Sequence, residues 1–197
     1  ELVTQDAGNT RYDLGPAALR LGLASLSRLD PVRLARGRIG AMVEQIGHTL
    51  ALAVWGNRGP TIVHWEEAQQ AVTVNLRLRD VMPLLSSATG RCFAAYLSTQ
   101  TRFDRIAPLL QAELAHAAGL PSLQVKRDLP GSMLEVQQLL GEVRERGMAR
   151  AADTLLPGIV GFCAPVFDSD GHMVLGMVAL GSAATFDLAW DGTVAMP

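Results

Sequence analysis

Two long apolar runs face each other across a short polar turn near the end of this chain, and they constrain the fold more than any other feature. Ile159-Val-Gly-Phe-Cys-Ala-Pro-Val-Phe167 is followed by Asp168-Ser-Asp-Gly171, and a second run from His172 reaches Leu180 before Gly181-Ser182 closes it. Asp, Ser and Gly are turn formers, so the pair reads as an antiparallel hairpin. Both runs are apolar almost throughout, which marks buried strands that other elements must cover.

An earlier stretch repeats the theme. Residues 50–55 and 61–65 flank Gly56-Asn-Arg-Gly-Pro60, which predicts a hairpin with a longer loop. Val72, Val74 and Leu76 alternate with Thr73, Asn75 and Arg77, which predicts a third strand with one wet face.

Helical periodicity supplies the cover. Pro16 suits a first helical position, and Leu19, Leu23, Leu26 and Leu29 then form one apolar stripe. Asp30-Pro31 restarts a helix as N-cap and first turn, Val32, Ala35, Ile39, Met42, Val43 and Ile46 line one face, and Gly47 stops it. Ser86-Ser-Ala-Thr-Gly-Arg91 is a small polar turn opening a helix through Phe93, Ala94 and Leu97, and Thr101 starts another. Ser132 with Glu135 has capping-box spacing, and the helix after it buries Met133, Val136, Leu139, Leu140 and Val143 and ends at Gly147. The first fifteen residues read as a short hairpin around Asp6, Gly8 and Asn9, and residues 186–197 show no clear element. Helices interleaved with antiparallel hairpins predict an α+β domain with helices against one or both sides of the sheet.

Composition narrows the function. With 49% hydrophobic and 18% charged residues, the chain has the makings of a packed core and lacks the signature of disorder. A net charge of −2 predicts no polyanion partner for the chain as a whole. Six arginines (Arg11, Arg20, Arg28, Arg33, Arg36 and Arg38) nonetheless crowd the first 38 residues; they form either a solvated helix face or a segment lying near DNA. No apolar run is long enough to span a bilayer and no secretory signal opens the chain, so a cytoplasmic protein without a membrane partner is expected. Cys92 and Cys163 are too few for a disulfide scaffold and sit among apolar residues, as small buried hydrophobes do.

Reaction machinery is missing. His48, His64, His116 and His172 have no helical i, i+4 pairing and no Cys-x-x-Cys partner, so no metal site is expected. Neither a Gly-x-Ser-x-Gly elbow nor a phosphate-binding glycine loop occurs. Glu66 and Glu67 are adjacent on a strand end and point to opposite faces, which does not make an acid/base pair. A cysteine-dependent enzyme using Cys92 or Cys163 stays open as an alternative, as does a stand-alone sensor or dimerisation domain that never touches DNA. The profile favours binding over catalysis, with no cofactor.

Four landmarks in order carry a family resemblance: Arg11-Tyr-Asp-Leu-Gly15; Ser86-Ser-Ala-Thr-Gly-Arg91; Glu142-Val-Arg-Glu-Arg-Gly147 with Gly158 and Cys163-Ala-Pro-Val-Phe-Asp168; and Val178-Ala-Leu-Gly181. Together they resemble the IclR family of bacterial transcription regulators. The resemblance implies a GAF-like or profilin-like effector domain, with an antiparallel sheet flanked by helices. It divides the chain into the end of a DNA-binding wing at 1–15, a linker helix at 16–29 and an effector-binding domain at 30–197. It also implies a small organic acid as effector, operator DNA bound through a winged helix-turn-helix absent from these residues, and homodimers or tetramers. The turn that holds the acid in characterised relatives corresponds to Ala88 and Thr89, the acidic position to Ala151 with Asp153 nearby, the thiol position to Gly161, and two last-strand serines to Val178 and Leu180. Several polar partners are thus replaced by apolar residues, which predicts an aromatic or otherwise apolar acid rather than a two-carbon one. Its expected site lies at the Ala88, Thr89 and Gly90 turn, with Val74, Met82, Ile159, Val178 and Leu180 as walls and Gly161 leaving room for a ring.

Overall fold

The hairpin at the end of the chain is the centre of a five-stranded sheet. In a computed structural model of the protein, residues 2–5, 8, 11–26, 30–69, 78–97, 103–119 and 128–196 are described, excepting the side chains of 23–26 and 103–105. Strands β6 (Ile159–Phe167) and β7 (Met173–Ser182) pair antiparallel from Ile159–Ser182 to Phe167–Met173. Strand β3 (Thr49–Gly56) joins the free side of β7, β4 (Gly59–Glu66) joins β3, and β5 (Ala149–Ala152) joins β6, so the order is β4-β3-β7-β6-β5 with every neighbour antiparallel. This is the α+β fold expected from the alternation of hairpins and helices.

The β3–β4 connection departs from the expected longer loop. Gly56 pairs directly with Gly59, leaving Asn57 and Arg58 as a two-residue turn. Gly59 takes φ 135°, a conformation L side chains rarely adopt, and this lets the chain reverse at once and carry Pro60 into the strand. The outer side of β4 is occupied in turn: the Met82 N–H donates to the Pro60 carbonyl (2.7 Å) and the Arg79 N–H to the Ile62 carbonyl (2.8 Å).

Strand alternation separates two cores. Ala51, Ala53, Ala149, Ala151, Cys163, Val178 and Leu180 face a layer made by α3 (Ala88–Leu97), α4 (Phe103–Ala118) and α5 (Met133–Arg146). Leu50, Leu52, Val160, Phe162, Leu175 and Ala179 face α2 (Pro31–Ile46) and the chain beyond β7. Small residues on the first face let α3 lie close against the sheet. The caps fall where the sequence puts them. The Asp30 carboxylate accepts the Val32 and Arg33 N–H groups, Ser132 Oγ accepts that of Glu135, and Gly47 and Gly147 end α2 and α5 in the left-handed region.

Residues 183–196 form turns rather than a helix or strand, yet they are well seated. Phe186 and Trp190 pack on Phe162 with ring centroids 5.9 and 5.5 Å away, and Arg146 and Arg150 lie 5.2 and 4.6 Å from the Trp190 ring centre. At the other end, β1 (Val3–Gln5) and β2 (Tyr12–Leu14) form the expected short hairpin, followed by α1 (Pro16–Leu26). The expected strand at 72–76 with Val74, the helix start at Thr101, turn residues Asp6 and Asn9, and the side chains of Leu23, Leu26 and Leu29 lie outside the described residues. Among the described residues, no helix is long and apolar enough to cross a membrane.

Candidate ligand-binding site

The start of α3 is built by side chains that hold backbone. Ser87 is its N-cap: Ser87 Oγ accepts the Gly90 N–H (2.8 Å) and donates to the Pro83 carbonyl (2.7 Å). From α4, the Glu113 carboxylate accepts the N–H groups of Leu84 (2.7 Å) and Leu85 (2.9 Å), fixing the approach to the helix. Arg91, 1% exposed, locks the other side. Its guanidinium donates to the carbonyls of Leu85, Arg150 and Asp128 and pairs with the Asp128 carboxylate at 2.9 Å. The Thr154 hydroxyl donates to the Ser86 carbonyl (2.7 Å), tying the loop after β5 to the same turn.

This scaffold leaves polar groups unused. Ser87 serves only the third N–H of the helix, and among the described residues the N–H groups of Ala88 and Thr89 have no hydrogen-bond partner. Thr89 is 1% exposed and its hydroxyl likewise forms no hydrogen bond there. Because no fully sealed side-chain polar atom among the described residues lacks a partner, that hydroxyl opens onto the cavity that Thr89 lines. The cavity has a volume of about 50 Å³ between the helix start and the sheet, with Ile62, Trp65, Leu155 and Ala151 among its walls.

Seven of the residues expected at the site line this cavity together: Met82, Ala88, Thr89, Ile159, Gly161, Val178 and Leu180. Two do not. Gly90 has its N–H taken by Ser87, and a Cβ there would meet the Pro83 carbonyl oxygen, so this glycine serves the close approach of helix and loop. Asp153 is exposed, and its carboxylate accepts the Gly158 N–H to close its own loop. The reason expected for Gly161 also changes. A Cβ at Gly161 would run into the backbone oxygen of Ala179, so the glycine answers the tight β6–β7 pairing rather than clearing space for a ring. Ser86 and Ser87 were read from sequence only as part of the small polar turn that opens a helix, and Thr154 and Leu155 were not singled out. Arg91 and Glu113 gave no signal.

A larger cleft of about 610 Å³ adjoins the cavity between β4, the turn before α3, and α4. Met82, Ser86 and Thr154 wall both spaces.

The remaining chemistry is quiet. Both cysteines are buried, and burial together with the neighbouring Cys163 thiol pushes the Cys92 thiol well up, which disfavours the nucleophilic thiolate. Asp168, Asp170 and His172 gather on the exposed β6–β7 turn, where the Asp168 carboxylate accepts the N–H groups of Asp170 and His172. Arg33, Arg36 and Arg38 are exposed on α2, as a solvated helix face would have them.

An antiparallel sheet with helices on both faces and a recessed helix start against one of them is the architecture of the C-terminal domain of IclR-type regulators. The family described as "Bacterial transcriptional regulator IclR C-terminal" matches residues 23–187. The chain belongs to the IclR family. It is similar to the crystal structure of Pseudomonas aeruginosa HmgR, with 35% identity, a TM-score of 0.78, and coverage of 98% of this chain and 72% of that one. The Agobacterium tumefaciens repressor BlcR shares the fold at 19% identity and a TM-score of 0.71, covering 98% of this chain and 71% of that one. A curated relative, the probable transcriptional regulator SauR of Cupriavidus necator, is 26% identical over 116 residues. That match covers 58% of this chain and 46% of the relative, so the chain spans about half the length of the curated protein it matches.

Proposed function

We propose that this chain is the ligand-sensing part of a DNA-binding transcription regulator and that it binds an organic acid with an aromatic or otherwise apolar body. The observation that carries this reading is the pair of unengaged N–H groups at Ala88 and Thr89, next to the Thr89 hydroxyl, in a cavity walled chiefly by apolar residues. Unpaired donors and the helix dipole favour an anion at that point. Val178 and Leu180 offer a second polar group no partner, which penalises a two-carbon acid, whose remaining oxygens would be stranded. Residues 1–15, 16–29 and 30–197 are read as wing end, linker helix and effector domain. Binding alters operator affinity by favouring one arrangement of a dimer or tetramer over another.

Titration calorimetry with benzoate and glyoxylate tests the site. Benzoate is expected to bind at least tenfold more tightly, and Thr89→Val to weaken it by about 1–2 kcal/mol through loss of one hydrogen bond to a charged group. Leu180→Ser, which places a hydroxyl without a partner in the wall, should cost roughly 1–3 kcal/mol. Tighter binding of glyoxylate, or benzoate affinity indifferent to both substitutions, overturns the reading.

A further inference from the structure

The cavity at the helix start is too small for the ligand its chemistry selects. A cavity of about 150 Å³ accommodates benzene, and the space beside Ala88 and Thr89 measures about 50 Å³. It holds a carboxylate and little more. The adjoining cleft, at about 610 Å³, lies within the size range of ligand pockets. Its walls are chiefly apolar, from Val81, Leu84, Leu109, Leu129 and Pro130, and Val81 and Leu109 are 36% and 38% exposed although apolar. Met82 lines both spaces, and its unbranched side chain has three rotatable bonds with which to move aside. Ser86 and Thr154 line both as well.

We infer that the two spaces form one bipartite site, and that the effector is an acid longer than benzoate: its carboxylate sits at Ala88 and Thr89, its chain passes Met82, and its apolar body fills the cleft. This rests on the reading of the helix start as the anion site. The cleft itself argues against a cationic body. Glu113, its carboxylate, already has both oxygens committed to the N–H groups of Leu84 and Leu85. Arg58 and His116 stand at the same cleft, and they favour no cation either.

Calorimetry with benzoate and 4-phenylbutyrate, on the 197-residue chain and on Ala112→Trp and Ala117→Trp, decides it. Both alanines line the cleft from α4 and neither lines the small cavity, so the indole fills the cleft and leaves the anion site alone. The expected result is that 4-phenylbutyrate binds about tenfold or more tightly than benzoate, because each added buried methylene strengthens binding. At least one tryptophan variant should erase that gain, while Thr89→Val weakens binding of both acids. Equal binding of the two acids, each dependent on Thr89, overturns the bipartite site and leaves the anion site standing. So does a gain that survives both tryptophans. Failure of both acids to bind overturns the anion-site reading and this inference together. Loss of 4-phenylbutyrate binding in Arg58→Gln with no effect of Thr89→Val also overturns it, since the acid would then be held from the other end.

Discussion

Gly90 shows how little room the helix start leaves. A Cβ there would overlap the Pro83 carbonyl oxygen and come within 2.5 Å of the Leu84 Cα, and both obstacles are backbone. Gly90→Ala is therefore expected to cost about 1–3 kcal/mol or more, since overpacking forces backbone to shift. Urea denaturation followed by circular dichroism measures this; a midpoint within error of the parent would contradict the geometry. The same turn marks what a reader of the sequence can see. Ser86 to Gly90 are small and polar before an apolar run, which announces a helix start, and the family resemblance assigns Ala88 and Thr89 to the ligand. Arg91 stays hidden. One arginine among sixteen carries no mark of burial, because the carbonyls that satisfy it come from Leu85, Asp128 and Arg150, far apart in the chain. Asp153 misleads for the converse reason, since its carboxylate is consumed by a turn within its own loop.

Elements with local signals were legible and those made by tertiary pairing were not. The caps of α2 and α5 are written in Asp30, Ser132, Gly47 and Gly147, and the structure uses all four. Strand β5 is only four residues long, Ala-Arg-Ala-Ala, with no β-branched or aromatic residue to announce it. It exists because β6 offers an edge and α3 an apolar cover. The β3–β4 turn is tighter than expected because the loop's two glycines let pairing continue to its tip. Helix α1 presents a different case. Leu19 and Leu21 are 66% and 64% exposed, an apolar surface that a lone helix leaves in water. Self-association through α1 is the expected remedy. Sedimentation equilibrium at micromolar concentration should show a dimer, and Leu19→Glu should weaken it at least tenfold. A monomer in the parent chain, or a dimer indifferent to the substitution, would dismiss this role for α1.

For the molecule as a whole, acid stability has a contributor at the junction of α2 and the sheet. The His48 ring lies tilted against Phe186, centroids 4.6 Å apart, and burial lowers its pKa from the ordinary value near 6.5. The fold thus favours the neutral ring. The stability from this group is complete above about pH 6.5 and is lost as the pH falls below that value towards the lower pKa of the folded state. Thermal melts from pH 7.5 to 5.0 should fall less steeply in His48→Gln than in the parent, after both are referred to their values at pH 7.5. Parallel curves would remove His48 from the account.

The sheet is covered on both faces, and the two covers are unequal partners in the life of the protein. The small cavity takes its helix residues from α3, and α2 contributes none. On the proposed reading, changes at Met82, Val178 or Leu180 would alter the ligand accepted while Ile39, Leu50, Leu52 and Phe162 keep the domain folded. Selection for heat resistance in such a chain would find its safest substitutions behind the sheet, among residues that do not line the small cavity.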